Sequence, residues 1–141
     1  MSIERAVVDR VNVPSPSRSR RILIVDDEDD IREIASITLE ITEGWRVAVA
    51  SSVADALQAA QLEPPDAILL DVMMPDVDGP SGLLVLRSNP TTNPIPVIFL
   101  TAKAGERDLC KLLDLGVQGV IAKPFDPMTL GRQVRELLRW E

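Results

Sequence analysis

Residues 22–30 read Ile22-Leu23-Ile24-Val25-Asp26-Asp27-Glu28-Asp29-Asp30, four aliphatic side chains followed by five carboxylates. An apolar run this short fits a strand buried on both faces, and the abrupt change to acid marks where the chain leaves the core. The construction recurs at Ala67-Ile68-Leu69-Leu70, closed by Asp71, and at Val97-Ile98-Phe99-Leu100, closed by Thr101. Arg46-Val47-Ala48-Val49 and Gly119-Val120-Ile121-Ala122 complete a set of five strands, and Lys123-Pro124 follows the last.

Helical periodicity fills the gaps. Ile31, Ile34, Ala35 and Thr38 fall at i, i+3, i+4 and i+7, and Val53, Ala56, Leu57 and Ala60 repeat the spacing, so each set predicts an amphipathic helix. Leu83, Leu84 and Leu86 mark a third helix; Leu109, Leu112 and Leu113 mark a fourth, with Gly116 expected as its C-terminal cap. Leu130, Val134, Leu137 and Leu138 mark the fifth. Glu28, Asp29 and Asp30 are expected to be the acidic N-cap and first turn of the first helix, where the helix dipole favours negative charge. Five strand–helix pairs imply an α/β fold, a flavodoxin-like (βα)5 doubly wound parallel sheet with strand order 2-1-3-4-5. In such a sheet the functional crevice lies outside the carboxyl ends of the strands.

Length and composition narrow the chemistry. The 141 residues suffice for one domain, expected over 21–141. Residues 1–20, ending in Pro14-Ser15-Pro16-Ser17-Arg18-Ser19-Arg20, read as a flexible N-terminal extension. Fifteen basic against twenty-two acidic residues leave a net charge of -7, which argues against direct nucleic-acid binding. The absence of histidine removes Ser-His-Asp and Cys-His catalysis, histidine-held metals, and phosphohistidine chemistry on this chain. Cys110 is the single cysteine, so an internal disulfide is excluded. No apolar run approaches the roughly 20 residues that span a bilayer, and no secretory h-region opens the chain, so a cytoplasmic location is expected. A phosphate-binding Gly-x-x-x-x-Gly-Lys-Ser/Thr element is missing too.

The chemistry must therefore sit on the strand-end residues. Asp71 closes an apolar strand, and a carboxylate there needs a cation, a partner or an exposed rim. Asp26 and Asp27 close the neighbouring strand, so three carboxylates would repel one another unless a hard divalent cation intervened. Mg²⁺ suits that donor set because it takes one or two carboxylates and leaves room for phosphate oxygens. Thr101 and Lys123, on the same rim, supply a hydroxyl and an ammonium able to hold a phosphoryl group.

These residues resemble the receiver domain of two-component response regulators. The resemblance rests on Ile22–Glu28, on Leu70-Asp71-Val72-Met73-Met74-Pro75 through Asp78-Gly79, on Leu100-Thr101-Ala102, and on Lys123-Pro124-Phe125, and spans about residues 21–140. It implies that Asp71 accepts a phosphoryl group from a phosphohistidine on a sensor histidine kinase or histidine phosphotransfer protein. It implies Mg²⁺ held by Asp26, Asp27, Asp71 and the backbone carbonyl of Met73, with Lys123 and Thr101 binding phosphoryl oxygens. Movement of Thr101 would reshape the face of the fourth helix, fifth strand and fifth helix toward a downstream protein target, a binding switch rather than a turnover enzyme. Pro124 stands where the family commonly has a cis peptide, a trans proline ending the strand being the other reading. Val120 replaces the family's frequent aromatic, and Val117-Gln118 replaces an acidic pair of many dimeric relatives, so a monomer or weak dimer is expected. Lys103 and Met73 occupy positions that tune phosphoryl lifetime in the family. The chain ends at Glu141 just after the last helix, which fits either a stand-alone receiver or an excised fragment. A degenerate receiver that only binds partners, a flavodoxin-type cofactor binder and a metal-dependent phosphatase with an aspartate nucleophile remain the alternatives on the residues alone.

Overall fold

The computed structural model describes residues 19–75, 77–102 and 105–140. Strands β1 (Arg21–Val25), β2 (Arg46–Ala50), β3 (Ala67–Asp71), β4 (Val97–Thr101) and β5 (Gly119–Ala122) alternate with helices α1 (Asp29–Glu43), α2 (Val53–Leu62), α3 (Gly79–Arg87), α4 (Glu106–Leu113) and α5 (Pro127–Leu138). All strand pairs are parallel and the order is β2-β1-β3-β4-β5, the flavodoxin-like arrangement that the alternation implied.

The continuous apolar strands follow from two covered faces. Successive side chains of a strand point to opposite sides. Leu23, Val25, Ile68, Leu70, Val97 and Phe99 therefore pack with α2, α3 and α4, whereas Ile22, Ile24, Ala67, Leu69, Ile98 and Leu100 pack with α1 and α5. Helix starts are set by short polar side chains. Ser52 Oγ accepts the Asp55 N–H at 3.1 Å, Asp78 Oδ1 accepts the Ser81 N–H at 2.8 Å, and Asp126 Oδ1 accepts the Met128 N–H at 2.9 Å. Glu28 stands at the N-cap of α1 but makes no side-chain cap bond, so its carboxylate is available elsewhere.

Strands β3 and β4 close at Asp71 and Thr101 as expected, because the ladder continues through them: Asp71 pairs with Leu100 and Thr101 with Ala122. Two details depart from the sequence reading. On α1 the fully buried stripe is Ala35 and Leu39, and Ile34 is 45% exposed, since one position along a helix turns a side chain by about 100°. Helix α4 ends at Leu113 with Asp114 as its cap, and Gly116 (φ +85°) lies two residues further on, where the Leu115 and Gly116 N–H groups satisfy the Leu112 and Leu113 carbonyls.

The floor of the domain, opposite the strand ends, is closed by aromatic packing. Trp45 and Trp140 meet edge to face at 5.3 Å, and the Arg20 guanidinium lies 4.3 Å from the Trp140 ring centre. Ser19 Oγ donates to the Gly44 carbonyl at 3.1 Å, so Ser19 and Arg20 are already in contact with the folded part. Residues 1–18, read as extension, lie outside the described residues.

Because Leu69 is fully buried at the centre of the sheet, Leu69→Ala is expected to lower unfolding stability by about 2–5 kcal/mol in urea titration with an unchanged slope. A loss below about 1 kcal/mol would contradict the placement of β3 as the central strand.

Candidate functional site

Strand geometry brings the acidic residues together. Asp26 follows β1 directly and its N–H still pairs with the Ala50 carbonyl of β2 at 3.1 Å, which fixes its side chain at the rim. Asp71 ends β3 beside it. One carboxylate oxygen from each of Asp26, Asp27 and Asp71 lies within 4.8 Å of the others, with Asp26 and Asp71 buried and Asp27 exposed. Buried acids of like charge at this spacing repel strongly unless compensated.

Lys123 compensates them. Its Nζ lies 2.9 Å from Asp26 Oδ2, 3.2 Å from Glu28 Oε1 and 3.4 Å from Asp71 Oδ2. Its N–H bonds the Thr101 carbonyl at 2.7 Å, tying the end of β5 to β4; the Lys123–Pro124 peptide is cis. Burial alone would lower the Lys123 pKa, but the hydrogen bond and charge of Asp26, with the charges of Asp71 and Glu28, hold it above its ordinary value. The ammonium is therefore fully charged at neutral pH.

Asp71 is held differently. Its Oδ1 accepts the Met73 N–H at 3.1 Å and its Oδ2 faces Lys123. Burial pushes its carboxyl above the usual aspartate range and the Asp26 charge adds to the push; the Met73 N–H and Lys123 pull it down without reversing the shift. The loop beyond is anchored by buried Met74 and by Gly79, whose N–H bonds the Val72 carbonyl at 2.8 Å. A Cβ on Gly79 would sit 2.7 Å from Val72 Cα, a contact only glycine avoids.

Thr101 ends β4, fully buried, on the other side of β3 from β1. It lines a cavity of about 340 Å³ between α3 and α4 with Val72, Pro80, Asp108, Lys111, Leu112 and Leu115. Val120 packs with Val117 against the core on the α2–α3–α4 side. Lys103 lies outside the described residues.

Two participants escaped the sequence reading. Glu28, expected only as an N-terminal helix acid, reaches Lys123 across 95 residues of chain. Arg32 donates from Nη1 to the Asp26 carbonyl at 2.7 Å and pairs through Nη2 with Asp29, bracing the acidic turn. Nothing in the local spacing of Glu28 relative to Asp26 foretells a contact with β5.

Hard oxygen donors in a partly buried triad, with a backbone segment at Met73 alongside, fit a magnesium ion rather than a softer metal. A model of the response regulator receiver domain matches residues 22–135. The chain belongs to the response regulator receiver family. The chain is 41% identical over 125 residues to the response regulator PleD of Caulobacter vibrioides, covering 87% of this chain and 27% of that protein. It is 38% identical over 121 residues to the alkaline phosphatase synthesis transcriptional regulatory protein PhoP of Bacillus subtilis, covering 86% of this chain and 49% of the relative. Among solved structures, the chemotaxis protein CheY4 of Vibrio cholerae superposes with a TM-score of 0.77 at 29% identity, over 84% of this chain and 98% of that one. The chain thus spans half or less of these two curated relatives, and as a receiver domain it is a component of two-component signalling. No described helix is long and apolar enough to cross a membrane.

The raised Asp71 pKa sets a stability sign. A folded carboxyl that holds its proton more tightly than the unfolded one costs stability once ionised, and the cost fades as pH falls toward the unfolded value of about 3.9. Asp71→Asn is therefore expected to raise the Tm by a few degrees at pH 7, with the gain disappearing near pH 3 in paired thermal melts. A variant less stable than the parent at pH 7 would mean that the Lys123 pairing outweighs burial.

Proposed function

We propose that this receiver domain is a phosphoacceptor in which Asp71 takes a phosphoryl group from a partner's phosphohistidine and thereby switches protein contacts. The observation that carries this reading is the convergence of the Asp26, Asp27 and Asp71 carboxylates around the Lys123 ammonium at the strand switch point.

An Asp71 carboxylate oxygen attacks phosphorus, the bond from phosphorus to the donor histidine nitrogen breaks, and that nitrogen leaves with the electron pair and is protonated. Asp26, Asp27, Asp71 and the Met73 carbonyl would hold Mg²⁺, which when bound neutralises charge on the attacking carboxylate and on the incoming oxygens. Lys123 donates to one phosphoryl oxygen and Thr101 to another once the group is in place. The low-dielectric strand ends strengthen those bonds, and the neighbouring backbone at Met73 fixes the acceptor.

With Val120 in place of an aromatic, Thr101 itself carries the signal. Its hydroxyl turns toward the phosphoryl oxygen, the cavity beside it accommodates the repacking, and α4, β5 and α5 shift as a face offered to a downstream protein. The donor is a sensor histidine kinase or histidine phosphotransfer protein, since the chain has no histidine of its own. We place the protein in the cytoplasm as a monomer or weak dimer, acting through proteins rather than directly on nucleic acid, with no turnover activity beyond gaining and losing its phosphoryl group.

Incubation with Mg²⁺ and acetyl phosphate is expected to add one phosphoryl group by intact mass, lost on chelation and in Asp71→Asn. Full-yield modification of Asp71→Asn would overturn the assignment, and sustained hydrolysis of general phosphomonoesters would point to a phosphatase.

A further inference from the structure

We propose that Glu28 is a positioning residue that holds Lys123 in the unmodified protein and competes with the phosphoryl group for its ammonium; this rests on the phosphoacceptor reading above. Lys123 Nζ has three protons to donate and three carboxylates within reach, at 2.9 Å (Asp26), 3.2 Å (Glu28) and 3.4 Å (Asp71). The Asp71 contact passes to the phosphoryl group itself, and moving the ammonium out toward a phosphoryl oxygen loosens one of its two hydrogen bonds, to Asp26 or to Glu28. Asp26 is the wrong one to release. Its side chain is fully buried, and an uncompensated buried carboxylate is strongly destabilising. The Glu28 side chain is 59% exposed, so water can solvate it as soon as the lysine leaves.

Local geometry supports a dedicated contact. Glu28 occupies the N-cap of α1 yet makes no cap bond with its side chain, and its own N–H is taken by Asp26 Oδ1 at 2.9 Å. The side chain thus forgoes the helix terminus and bonds the lysine at the end of β5. The contact is closed when Asp71 is bare and is exchanged when a tetrahedral anion arrives, so Glu28 sets how tightly that anion is held. An exposed ion pair has a modest value, which makes the residue a tuner of occupancy rather than a support of the fold.

Trifluoroberyllate, a tetrahedral mimic of the phosphoryl group, tests this without turnover. Its affinity in saturating Mg²⁺, titrated by amide NMR shifts, is expected to rise about two- to fivefold in Glu28→Ala, and less in Glu28→Gln, whose amide still accepts from the lysine. Asp29→Asn removes a neighbouring carboxylate that bonds Arg32 instead, and is expected to leave affinity unchanged. An unchanged or weaker affinity in Glu28→Ala, or equal gains in Glu28→Ala and Asp29→Asn, overturns the positioning role. Failure of the parent protein to bind the mimic overturns the phosphoacceptor reading instead, so the two failures are distinguishable.

Discussion

The Lys123 ammonium among Asp26, Glu28 and Asp71 is the contact on which the rim depends. Two buried carboxylates on adjacent strands are an arrangement a fold cannot easily hold, because their like charges repel in a poorly solvated site. A single cation brought from β5 makes them tolerable. The bond from the Lys123 N–H to the Thr101 carbonyl belongs to this arrangement, because it ties the end of β5 to β4. One ammonium does not balance the three carboxylates of Asp26, Asp27 and Asp71, and a divalent cation would offset the rest.

Much of this was readable from residue order. The apolar strands announced a sheet covered on both faces, and parallel connection rules left few topologies, so Asp26, Asp27, Asp71, Thr101 and Lys123 could be assigned to one rim before any coordinates existed. The ends of β3 and β4 at Asp71 and Thr101 were readable too, since each is the polar residue that closes an apolar run. Glu28 does stand at the N-cap of α1 as its neighbours imply, but its contact with Lys123 was not legible. Its neighbours in sequence describe a helix start, whereas its partner lies on the opposite end of the chain. Gly116 is not the cap because α4 already ends at Leu113 with Asp114 as its cap, whose N–H bonds the Cys110 carbonyl.

The proposed switch would have a plain physical basis. Thr101 sits at the junction of the rim, the α3–α4 cavity and the backbone bond to Lys123, so a new bond to its hydroxyl would be felt by α4 and β5 together. Val120 packs into the core with Val117, and under the proposal the readout would run through backbone and aliphatic repacking.

If Asp71 carries the phosphoryl group, borohydride reduction of protein treated with Mg²⁺ and acetyl phosphate, followed by peptide mapping, yields homoserine at position 71 and at no other acid, since an acyl phosphate is reduced at its own carbonyl carbon. Reduction at Asp26, Asp27 or Glu28, or none in fully phosphorylated protein, would place the phosphoryl group elsewhere.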